Sequence, residues 1–142
     1  MTYRMKVHKY LPQKFFGFCI DEYGTQVFFH LNDFQGEGVA PIVGESVEVD
    51  ADLKTYSPGA KAPKAKSVSR VDEPVYVKGT VEMFDGNKDY GFIKGDDDVT
   101  YHLHRSEVLE NKVPSLHQRV GFYAGVRKDR PRACYVDLDL EE

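Results

Sequence analysis

The segment from Lys14 to Ile20 reads KFFGFCI and that from Lys88 to Lys94 reads KDYGFIK, so lysine, aromatic residue, glycine and phenylalanine recur at an offset of 74 positions. The offset holds without a gap on both sides. Val7 matches Val81, Tyr10 matches Phe84, Lys14 matches Lys88, Phe16 matches Tyr90, Phe18 matches Phe92, His30 matches His104 and Phe34 matches Val108. Further on it shrinks to 73 (Pro41 with Pro114, Val47 with Val120) and then to 68 (Ala65 with Ala133, Val68 with Val136). Loops have shortened while strands kept register, the largest difference being LKTYSPGAKAPK in the first copy against RKDRPR in the second. A chain that repeats over nearly all its length folds as copies of one unit. The expected domains are 1–72 and 75–142, joined by the linker VDEP (Val71 to Pro74).

Within each copy, short alternating runs such as QVFFHL, ESVEVDADL, RVGFYAGV and ACYVDLDL are separated by Gly, Pro, Asp and Asn, and no long stretch keeps a helical period. The fold class is therefore all-β. About five short strands per copy predict two tandem barrels, closed or nearly so, because closure hides the edges of so small a sheet.

The composition narrows the function. No apolar run approaches the roughly 18 residues that span a bilayer, and the start MTYRMKVHKY has no secretory apolar stretch, so no membrane partner and a cytoplasmic location are expected. Cys19 and Cys134 lie in apolar runs without metal-ligand spacing and read as reduced core thiols. The net charge of −4 disfavours a protein that coats nucleic acid by charge alone. Up to Asp72 there are nine basic and nine acidic residues; beyond it there are ten and fourteen.

Residues two apart on a strand share a face, so Phe16 and Phe18 point one way, as do Phe28 and His30 on the strand predicted to pair with theirs. The alternate positions Cys19, Val27, Phe29 and Val47 already fill a small barrel. The first set must then face water, and rings flanked by Lys9, Lys14 and His30 suit a flat, anionic ligand: single-stranded DNA or RNA.

These two segments, with VFFHL and HLH after them, resemble the paired ribonucleoprotein motifs of bacterial cold-shock proteins and Y-box cold-shock domains. The resemblance covers nearly the whole chain, once per half, and implies two five-stranded barrels of the oligonucleotide-binding (OB) type that stack bases. It puts stacking positions on Phe16, Phe18, Phe28 and His30 in the first copy and on Tyr90, Phe92, His102 and His104 in the second. Tyr10 and Phe84 come from the preceding strand, and Lys14 and Lys88 head the motif. Where the family has tryptophan, this chain has Lys9 and Met83. Its glycine after the motif lysine is Phe15 or Asp89, and its second aromatic beside the histidine is Leu31 or Arg105.

Other chemistries have less support. His102 and His104 share a strand face but lack a third metal ligand, and GDDD (Gly95 to Asp98) reads as a hairpin turn with solvated carboxylates rather than a calcium loop. No nucleophile, base and orienting group stand together, so neither an enzyme nor a cofactor is expected. The rival reading is a protein-binding or inhibitory module on barrels that have lost nucleic-acid binding. Between the copies, the first is expected to carry most of the affinity. Asp89 and Asp96 to Asp98 should repel phosphates from the second, only partly offset by Arg105 and the hairpin cations Arg127, Lys128, Arg130 and Arg132.

Overall fold

The computed structural model describes residues 2–36, 38–53 and 62–138. The chain divides into two compact units, residues 1–73 and 74–142. The first holds β1 (Thr2–Leu11), β2 (Phe16–Ile20), β3 (Gln26–His30), the two-residue β4 (Phe34–Gln35), β5 (Ser46–Asp50) and β6 (Ser67–Arg70). The second holds β7 (Tyr76–Asp85), β8 (Tyr90–Gly95), β9 (Thr100–His104), β10 (Arg119–Arg127) and β11 (Arg130–Asp137).

In the second unit the strands close into a barrel in the order β10-β11-β9-β8-β7, with β9 and β11 meeting in parallel at His102 and Arg132. The first unit is a sheet ordered β3-β2-β1-β5-β6-β4. Its free edge is joined in the equivalent place by a parallel bridge between Phe28 and Lys64. There the Phe28 N–H donates to the Pro63 carbonyl at 2.8 Å and the Ala65 N–H donates to the Phe28 carbonyl at 2.7 Å. The extra strand β4 pairs with β6 through Phe34 and Val68, which correspond to the isolated bridge between Val108 and Val136 in the second unit. Both units are all-β, of the OB type.

Alternation sets the interiors. β2 and β3 turn Gly17, Cys19, Val27 and Phe29 inward, against Val7, Val47, Val49 and Val68. Val81, Ile93, Leu103, Val120, Phe122 and Val136 fill the second barrel. Cys19 and Cys134 are both buried; burial, with Glu45 nearby, pushes the Cys19 thiol up to about 12, so it stays protonated.

A buried ion pair braces the first unit. Arg70 Nε donates to Glu45 Oε1 at 2.6 Å, and its two terminal nitrogens donate to Glu45 Oε2 and to the carbonyls of Gly36, Val39 and Ala40. The guanidinium also lies 5.1 Å from the centre of the Phe34 ring. One side chain thereby ties the segment after β4 to β5 and β6, a use for which the planar five-donor fork is suited. Residues 54–61, most of the LKTYSPGAKAPK connection, lie outside the described residues. Its counterpart turns tightly at Lys128 and Asp129, both with left-handed backbone (φ 52° and 62°).

Candidate nucleic-acid interface

Phe16, Phe18, Phe28 and His30 lie half-buried on the outer face, opposite Gly17, Cys19, Val27 and Phe29. Phe16 and Phe18 are 6.2 Å apart between ring centres and nearly perpendicular at 87°; Phe28 sits 5.2 Å from Phe16 and 5.6 Å from Phe18. The second unit repeats the triangle with Tyr90 and Phe92 at 6.1 Å and 89°. His102 takes the place of Phe28, 6.0 Å from Tyr90 and 5.8 Å from Phe92.

The motif glycine has a steric reason. In both units the first strand carries a bulge, between Val7 and Lys9 and between Val81 and Met83. One extra residue there reverses the alternation. Val7 faces the core opposite Cys19, yet two residues on Lys9 stands opposite Phe18, on the ring face. A Cβ on Gly17 would meet the Lys9 carbonyl oxygen and, at 3.0 Å, Phe29 Cζ; one on Gly91 would meet the Met83 carbonyl oxygen and, at 2.8 Å, Phe84 Cα. Only glycine lets the bulged strand cross so closely.

The same bulge sets two expected site residues apart from the ring triads. Tyr10 and Phe84 do not join the outward rings. Tyr10, opposite Gly17, stacks on buried Phe29 at 6.2 Å and 10°, and Phe84 packs against the core of the second barrel. Burial raises the Tyr10 phenol above its ordinary value. Lys9, Lys14 and Lys88 are exposed. Lys14 and Lys88 belong to turns that are completed by Phe15 and Asp89, which adopt left-handed backbone (φ 59° and 58°) where a glycine would be unstrained. Phe15 is 54% exposed, an additional ring at the head of the motif that its spacing did not single out.

His30 and His104 each cap a short 3-10 turn. The Asn32 N–H donates to His30 Nδ1 and the Ser106 N–H donates to His104 Nδ1, both at 3.1 Å. With Nδ1 accepting, a neutral ring carries its proton on Nε2 and can donate it to a ligand. His102 is held neutral: burial first, then the charges of Arg132, His104 and Arg127, lower its imidazole below the ordinary histidine value.

The charged residues are placed differently from expectation. Arg105 lies 3.8 Å from the Asp89 carboxylate, and its Nε is buried without a partner. The acidic turn is exposed, as expected, and its first two carboxylates also have partners. Arg119 grips Asp96 with two hydrogen bonds of 2.8 Å, and the Tyr101 hydroxyl donates to Asp97 at 2.6 Å. Those bonds hold both carboxyls below the ordinary range. Among the described residues no three His, Cys, Asp or Glu side chains gather as a metal site. Beside the second triad opens a cleft of about 620 Å³, floored by Phe92, His102 and His104 and walled by Arg127, Lys128, Arg130 and Arg132.

Residues 77–138 match the family model of the "'Cold-shock' DNA-binding domain", which is nearly the whole of the second unit. The second unit is therefore a cold-shock domain. Among solved structures it is similar to one titled "drosophila Unr CSD456", at 17% identity and a TM-score of 0.44. That alignment takes in 100% of this chain and 63% of the other, so the chain spans under two thirds of its length. No curated protein matches the sequence. The cold-shock domain is a nucleic-acid-binding OB fold, and the matched span includes β8 and β9, which carry Tyr90, Phe92, His102 and His104.

Proposed function

We propose that the chain is a tandem cold-shock protein that binds single-stranded DNA or RNA by stacking bases on both ring triads, Phe16, Phe18 and Phe28 in one unit and Tyr90, Phe92 and His102 in the other. The observation that supports this most is the repetition itself. Two sheets with diverged sequences keep three rings within about 6 Å of one another on the solvent side, at matching register. A core needs no such outward cluster, whereas stacked bases do. Lys9, Lys14 and Lys88 supply phosphate contacts at the margins, and the Nε2–H of His30 and of His104 supplies a donor toward base or sugar. The chain performs binding without a chemical step.

Duplex DNA hides its base faces, so a single strand should bind more tightly. Anisotropy titrations of the full chain with labelled single and double strands, as DNA and as RNA, test this. Equal or tighter binding to the duplex overturns the reading.

A further inference from the structure

The second unit is the more acidic half, yet its charges are segregated. Arg105, Lys112 and Arg119 are engaged by Asp89, Glu110 and Asp96. No carboxylate lines the cleft among the described residues, whereas Arg127, Lys128, Arg130 and Arg132 do. Asp129, at the tip of the same hairpin, is not part of the lining. Arg132 is buried, with a side chain 10% exposed. It donates to Glu107 Oε1 at 2.9 Å and leaves its Nε buried and unpartnered. On the floor, the ring of His102 stands in register with Arg132 and stacks on Tyr90. A flat ring surface beside a cleft walled by cations is complementary to a nucleotide, base on one side and phosphate on the other.

We propose that this cleft is a phosphate subsite, which grips the backbone of a bound strand next to the base stacked on Phe92 and His102. The acidic turn stands outside it: none of Asp96, Asp97 and Asp98 lines the cleft, and Arg119 pairs with Asp96. Part of the electrostatic contribution therefore comes from the half of the chain whose net charge argues against it.

This rests on the single-strand reading, and the test separates the two. The variant Arg127→Gln/Arg130→Gln alters only exposed side chains, so the barrel stays folded. In the full chain, titrated with a labelled single strand over a salt series, it should lower the slope of log affinity against log salt by roughly 1.4, about 0.7 for each phosphate no longer neutralised. A peptide nucleic acid of the same sequence, whose backbone is neutral, should bind wild type and variant alike. An unchanged slope in the variant, with wild type still binding the strand, overturns the subsite and leaves base stacking standing. Failure of wild type to bind any single strand overturns the reading beneath it.

Discussion

Tyr90 and His102 lie with their rings almost parallel, 4° apart in plane and 6.0 Å between centres, on adjacent strands of the second barrel. The first barrel has Phe16 and Phe28 there, tilted by 42°. Exchanging a phenyl for an imidazole keeps a flat surface and adds a group that titrates near neutrality.

Because the folded state favours neutral His102, the unfolded chain takes up its proton first as pH falls. This contribution to stability is complete above the ordinary value of 6.5 and is lost as pH falls from there through the depressed folded value. Urea unfolding of the second barrel followed in the full chain should show that slope, and His102→Phe should remove it. An NMR titration that places the His102 midpoint at or above 6.5 contradicts the assignment.

Phe16→Ala and Phe28→Ala should weaken strand binding while sparing the fold. Each stacked base contributes about 1–3 kcal/mol on truncation of its platform. Phe29→Ala, which empties a fully buried site, should cost about 3–5 kcal/mol of stability. Thermal melts beside anisotropy titrations check both, and a larger loss of stability for Phe16→Ala would mean that the faces are exchanged.

Gly17→Ala and Gly91→Ala should each destabilise by about 1–3 kcal/mol, since the new methyl group meets main-chain atoms of the bulged strand, which cannot rotate away. Denaturant titration measures this. A neutral effect at both positions would show that the bulge yields.

Arg70→Met should cost about 3–5 kcal/mol, because it strands the Glu45 carboxylate and three carbonyls in a largely buried setting. Arg70→Met combined with Glu45→Gln should recover part of the loss in the same urea titration. No recovery would locate the cost in the carbonyl contacts instead.

The repeat and the alternation of side chains are local properties of the sequence, and they determined a great deal. An offset of 74 carries β1, β2 and β3 onto β7, β8 and β9, and a period of two sorts Phe16, Phe18, Phe28 and His30 from Cys19, Val27 and Phe29. Those assignments need only the chain's neighbouring residues, because a strand puts successive side chains on opposite faces wherever it lies.

Tertiary structure decided what depends on register between distant segments. The bulge that sends Lys9 out beside Phe18 and Tyr10 in against Phe29 exists only against the facing strand, so alternation read along β1 alone cannot show it. The partner of Asp96 lies 23 positions away, on β10, and its pairing offsets one charge of the run of aspartates. Arg105 turns to Asp89 for a similar reason. Charge counted along a chain adds up its groups, whereas a ligand meets only those that the folded barrel gathers on one side, as it does with Arg127 and Arg130 at the cleft.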